Sequence, residues 1–196
     1  MSACFIVLEG PDGSGTTTQS ELLAQMLRTD GYDVLLTAEP TGGEIGKGIR
    51  NWLKSGSLPP DALQLLFTAD RADHVARTLV PALESGKIVI CDRYVASTLV
   101  YGELQGVSST WLESANSLFL KPDILFVALP PVEVCLHRLH KRETKDIFET
   151  EELQKGLHAL YHAYASSHPE AIVIDTSGDK QATTKTLYDA VKAKLL

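Results

Sequence analysis

Cysteine is scarce in this chain and forms no pattern. Cys4, Cys91 and Cys135 stand far apart in apolar surroundings. Such spacing excludes a zinc cluster and a disulfide-stapled scaffold, and it fits buried thiols in a reducing compartment. Long apolar runs are also missing. No uninterrupted stretch approaches the roughly 20 residues that a membrane-spanning helix requires, so no membrane partner is expected. The N-terminus shows no basic region followed by an apolar one, so a secretory signal is not expected and a cytoplasmic protein is. Positive charge is in short supply: 18 Lys and Arg against 25 Asp and Glu leave a net charge of −7. A surface of that sign argues against nucleic acid as a general partner. Internal repeats and low-complexity segments are absent as well.

What is present is the composition of an ordinary globular protein, 44 % hydrophobic and 22 % charged over 196 residues. That length supports one well-buried core and predicts a single domain over 1–196. Short aliphatic runs at Phe5–Leu8, Val34–Leu36, Ile88–Cys91, Ile124–Val127 and Ile172–Ile174 read as strands buried on both faces. Helical patterns lie between them. One runs from Thr17 to about Thr29 and stops at Gly31. Pro59-Pro60 opens another from about Asp61, and Pro131 opens a third. Two more cover about Thr150–Ser167 and Lys180–Leu195. This alternation predicts an α/β fold, a five-stranded parallel sheet flanked by helices on both faces, with ligands beyond the carboxyl ends of the strands.

The most informative absence is one lysine. Glu9-Gly10-Pro11-Asp12-Gly13-Ser14-Gly15-Thr16-Thr17-Thr18 follows the first apolar run and opens the first helix. It has the spacing of a phosphate-binding loop, Gly-x4-Gly-Lys-Ser/Thr, but Thr16 stands where the lysine belongs. The glycines let the backbone wrap a phosphate, and the helix N-terminus offers unpaired N–H groups and a partial positive charge. Thr17 is placed to put a hydroxyl on a magnesium ion. The lysine normally reaches the terminal phosphates, and a threonine hydroxyl carries no charge.

Three further segments carry chemistry. Asp92-Arg93-Tyr94 ends an apolar strand at the edge where the loop should lie. Asp92 suits the metal, directly or through water, and Arg93 suits a second phosphate group. A strand-end ion pair is the competing role. Phe67 and Arg71 are four apart on one helix and share a face, so a ring and a guanidinium can address one base. Phe67 by itself reads as core. The stretch from Leu136 to Asp146 is the most basic in the chain, either a solvated helix end or a lid at about 138–149 whose arginines close over phosphates. His137/His140 and His158/His162 have helical spacing, but no acid or cysteine completes a metal set.

Taken together, these segments resemble the thymidylate kinase family over nearly the whole chain. The resemblance rests on Glu9 to Gln19, Glu39-Pro40, the run Leu66 to Arg71, Asp92-Arg93-Tyr94 with Ser97 and Tyr101, Pro122-Asp123 and Pro130-Pro131. It implies a P-loop NTPase fold and transfer of a phosphoryl group from ATP to dTMP, with Mg2+, in dTTP biosynthesis. The donor nucleotide is expected at Gly10, Asp12, Gly13, Ser14, Gly15, Thr16, Thr17 and Thr18, with Arg138 beside the adenine. The acceptor is expected at Glu39, Pro40, Phe67, Arg71, Arg93, Ser97, Thr98, Tyr101 and Tyr161. Within that set, Phe67 stacks on thymine, Arg71 reads a base carbonyl, and Tyr101 packs where a ribose 2′-hydroxyl would lie. Tyr161 lies beside the base. Arg93 and Asp12 act at the acceptor phosphate, and Thr17 and Asp92 hold the metal. The loop has no arginine, which implies the type with a lid arginine, here Arg142, with Lys145. A homodimer is implied too. The chain departs from the family pattern at Thr16, Ala38, Thr98 and Gly102. Two other readings stay open: a kinase for another nucleoside or nucleotide such as dUMP, and a nucleotide-binding protein with little turnover.

Overall fold

The structure is a computed structural model that describes residues 3–141 and 150–195. Five strands form one parallel sheet in the order β2-β3-β1-β4-β5. They are β1 Cys4–Glu9, β2 Val34–Ala38, β3 Ile88–Asp92, β4 Ile124–Ala128 and β5 Ala171–Ile174. β1 sits between β3 and β4, with Leu8 opposite Asp92 on one side and Phe126 on the other. This register brings the chain leaving β1 and the acid ending β3 to the same edge.

The helices are α1 Thr16–Thr29, α2 Glu44–Ser55, α3 Pro60–His74, α4 Val80–Glu84, α5 Val95–Leu104, α6 Ser109–Asn116, α7 Val132–His140, α8 Glu151–Ser167 and α9 Lys180–Leu195. A π-helical stretch, Val75–Leu79, joins α3 to α4. Successive strand residues point to opposite faces, and each face builds its own core. Cys4, Ile6 and Leu8 pack with Leu23 and Leu27 of α1 and Leu187 and Val191 of α9. Phe5 and Val7 pack with Leu79, Val100, Leu157 and Tyr161 on the other face.

The inner strands β1, β3 and β4 are buried throughout, as their unbroken apolar runs predict. The two edge strands correct that expectation: β2 is buried only at Val34, and the middle of β5 is exposed. Ile172 is 39 % exposed and Val173 53 %, because β5 has a neighbour on one side only. Among the described residues no helix is long and apolar enough to cross a membrane. All three cysteines are buried thiols.

Candidate active site

The phosphate-binding loop leaves β1 at Glu9 and enters α1 at Thr16. Gly13 has φ 78°, and a Cβ there would lie 2.6 Å from the Cys135 carbonyl oxygen of α7. Only glycine meets both demands. The loop is fastened from three sides. The Arg138 guanidinium donates to the Gly13 carbonyl at 3.0 Å and to the Thr176 carbonyl at 2.6 Å. The Thr176 hydroxyl donates to the Ser14 carbonyl. Ser14 N–H donates back to Pro11 O at 3.1 Å.

At the start of α1, the Thr17 hydroxyl donates to Asp92 Oδ2 at 2.5 Å. The other oxygen, Asp92 Oδ1, is buried with no hydrogen-bond partner. A hydroxyl and a carboxylate with an unused oxygen form the donor set that a hard divalent cation takes, so these residues fit magnesium. Glu39, His74 and Cys91 also lie within 4.8 Å of one another. They fit a metal poorly, because Arg71 already occupies that carboxylate and its buried charge opposes a cation.

Arg93 follows Asp92 with φ 72°, the left-handed region, which a non-glycine residue enters at a cost of about 1–3 kcal/mol. Its N–H holds Leu8 O at 2.9 Å, and the turn aims the side chain across the loop. The guanidinium donates to Asp12 Oδ1 at 2.7 Å, the Tyr101 hydroxyl at 3.1 Å and Ser97 Oγ at 3.4 Å. Tyr101 donates to Asp12 Oδ2 at 2.8 Å. Burial pushes the Tyr101 phenol well above its ordinary value, so it stays a donor.

Behind this cluster lie two buried supports, one at Glu9 and one at Arg71. Glu9, which the motif includes without a role, accepts from Tyr94 N–H at 2.7 Å and from the Ser97 hydroxyl at 2.6 Å. Burial holds its pKa above the usual carboxylate value. Arg71 is 1 % exposed. It donates to Glu39 at 2.9 Å, Tyr94 O at 2.8 Å, Thr98 Oγ1 at 3.0 Å and Asn116 Oδ1. His74 holds the other Glu39 oxygen at 3.0 Å.

Two cavities open here. One, of about 350 Å3, is walled by Phe67, Arg71, Glu39, Pro40, Ser97, Thr98 and Tyr101. The other, of about 470 Å3, runs along Gly13, Gly15, Thr16, Thr17 and Thr18 to Arg138 and Thr176. Asp12, Thr17 and Arg93 belong to both. Most of the sequence-predicted residues therefore converge. Phe67 is half-buried on the cavity wall rather than in the core. Gly10 closes against the Ala128 carbonyl, where a Cβ would lie 2.6 Å away. Tyr161 stands apart from the cavities: it is fully buried, bonding Ser97 Oγ at 2.9 Å from behind. Arg138 lies in the last turn of α7. Arg142 and Lys145 lie outside the described residues, as does most of the expected lid. Sequence reasoning missed Arg50, which lines the first cavity, Asn116, which accepts from Arg71, Gln154, which donates to Asp12 Oδ2 at 3.4 Å, and Thr176 and Lys180, which line the second cavity. Thr176 had a signal, since it follows β5 at the ligand-binding edge of the sheet; Asn116 and Gln154 had none.

Comparison with known proteins gives a consistent result. The sequence model of the family described as thymidylate kinase matches residues 8–187. A probable thymidylate kinase of Pyrococcus horikoshii is 40 % identical over a 203-residue alignment that covers 100 % of this chain and 99 % of that protein. A thymidylate kinase of Thermomicrobium roseum is 45 % identical, covering 85 % of this chain and 83 % of its own. The crystal structure of a thymidylate kinase from Ehrlichia chaffeensis superposes with a TM-score of 0.80 at 28 % identity, covering 97 % of this chain and 100 % of that one.

Proposed function

This chain belongs to the thymidylate kinase family and phosphorylates dTMP to dTDP, and we propose that the two cavities meeting at Asp12, Thr17 and Arg93 are its acceptor and donor sites. That junction is the observation that carries the reading. One cavity has an aromatic wall and a guanidinium for a base. The other is a phosphate-binding loop.

The chemistry needs no protein nucleophile, because the acceptor phosphate is itself an anion. One of its oxygens forms a bond to the γ-phosphorus of ATP. The bond from that phosphorus to the β,γ-bridging oxygen breaks, and ADP leaves with the electron pair. Catalysis is then positioning and charge neutralisation. Arg93, at the junction, is placed to hold the acceptor phosphate against the donor. Asp12 fixes the guanidinium, and Tyr101 fixes Asp12. The loop N–H groups and the α1 N-terminus receive the donor phosphates. Magnesium, when bound with ATP, neutralises phosphate charge, and Thr17 and Asp92 are the residues that would hold it.

Arg71 and Phe67 address the base, with Thr98 beside them. Arg142 and Lys145 complete the reading as lid cations over the transferring group. A cytoplasmic location and a homodimer belong to the same proposal. Leu65 of α3, 52 % exposed, and Trp111 of α6, 37 % exposed, are apolar surface on two helices that touch, which supports pairing through them. Light scattering at the mass of a single chain would contradict the dimer.

The test is a panel of acceptors. Coupled ADP release is expected to be fastest with dTMP, slower with dUMP and undetectable with thymidine. A thymine methyl contributes about 1–3 kcal/mol of discrimination, so dUMP should react at about a tenth of the rate or less. A preference for another acceptor would overturn the substrate assignment.

A further inference from the structure

The donor cavity carries one cation that neither the motif nor the mechanism uses. Among the described residues that line it, the charged groups are Asp12, Arg93, Arg138 and Lys180. Arg93 is engaged with Asp12 toward the acceptor side. Arg138 spends its donors on Gly13 O, Thr176 Oγ1 and Thr176 O, stapling the loop to the turn after β5. Lys180 is different. It is exposed, it lines the cavity with Thr16 and Thr18, and its ammonium has no hydrogen bond or ion pair with any described residue.

Its backbone, by contrast, is tied to α1. Gln19 Nε2 donates to Lys180 O at 3.3 Å, and the Thr184 hydroxyl reaches both Lys180 O and Gln19 Oε1 at 2.8 Å. On the other side of the same turn, Thr176 holds Ser14 O. A flexible four-carbon stem therefore rises from a fixed point one helix away from the loop. Lys180 is the first residue of α9. The Asp179 carboxylate before it caps the helix, accepting from the Ala182 N–H at 2.9 Å, and makes no ion pair with the ammonium.

Resting on the donor-site assignment above, we propose that Lys180 binds the phosphate tail of ATP. Its ammonium supplies from α9 part of the positive charge that Thr16 leaves out of the loop. The cavity then holds three cations against one carboxylate, a balance suited to a polyphosphate.

The test uses the full chain with magnesium and three probes, ATP, ADP and adenosine, their binding followed by calorimetry. Lys180→Met keeps the stem and removes the charge. It should weaken ATP and ADP about tenfold, the size of one charge-assisted hydrogen bond, and leave adenosine and dTMP unchanged. Lys180→Arg should restore most of the loss. Unchanged ATP affinity in Lys180→Met would overturn the proposal. So would an equal loss for adenosine, which would place Lys180 on the nucleoside or reveal a structural role. Phosphorylation of dTMP by the unaltered chain is scored separately. Its absence would contradict the functional reading, while the ATP titration still decides Lys180.

Discussion

The Arg93 guanidinium meets the Asp12 carboxylate at 2.7 Å, joining the end of β3 to the middle of the phosphate-binding loop. Tyr101 closes the triangle from α5. The contact lies where the two cavities join, and it is built on a residue held at positive φ. Backbone strain persists where the surroundings over-determine it, commonly at functional sites.

Replacing Arg93 should therefore cost turnover rather than folding. Arg93→Ala is expected to lower kcat by about 10²–10³, the usual loss for one preorganised donor. Arg93→Lys should recover little of it, since an ammonium cannot make the two-pronged contact. Arg142→Ala should also abolish turnover but leave dTMP binding intact. Steady-state kinetics beside dTMP titration separates the two. A variant of Arg93 with normal kcat, or an Arg142→Ala enzyme at full rate, would remove that residue from the mechanism.

The Glu39–Arg71 pair is a different case, because both side chains are buried. Removing one partner strands the other charge. Glu39→Ala should destabilise the fold by about 3–5 kcal/mol, measured by urea unfolding, and should also weaken dTMP. A loss under about 1 kcal/mol would mean that the charge on Arg71 finds other support.

Glu9 predicts a pH dependence. Burial raises its pKa in the folded chain, and hydrogen bonds from Ser97 and Tyr94 with the nearby Arg93 charge offset this only in part. The folded state thus binds more protons than the unfolded state between the two pKa values. Stability contributed by this group is present below the unfolded value and is lost as pH rises through the folded one. Glu9→Gln removes the titration. The unfolding free energy of the variant relative to the unaltered chain should rise as pH increases from about 4.3, the unperturbed value. A difference that stays flat with pH would contradict the shift.

Much of this architecture was legible in the sequence. The aliphatic runs located every strand of the sheet, and the loop spacing located the glycine-lined cavity proposed as the donor site, because both follow local periodicity and glycine geometry. The limits were tertiary. An edge strand such as β5 reads like a central one, since Ile172 and Val173 are aliphatic whichever face they meet. α2 contains Gly46 and Gly48, poor helix formers that hid it. The partners of Arg71 come from four other segments, at Glu39, Tyr94, Thr98 and Asn116, and no spacing announces them. Tyr161, expected beside the base, is fully buried and bonds Ser97 and Glu9, contacts that no spacing announces.

Restoring the missing lysine tests whether the loop is adapted or impaired. On the proposal that Lys180 and Arg93 serve the phosphates, Thr16→Lys should change kcat/KM for ATP by less than about tenfold. A rise of about a hundredfold or more would mean that nothing replaces the absent charge.

The most direct measurement is single-turnover transfer from γ-labelled ATP with dTMP and magnesium. The account predicts that the label appears in dTDP, one equivalent for each ADP formed. Binding of both nucleotides with no labelled dTDP, or label released only as inorganic phosphate, would contradict it.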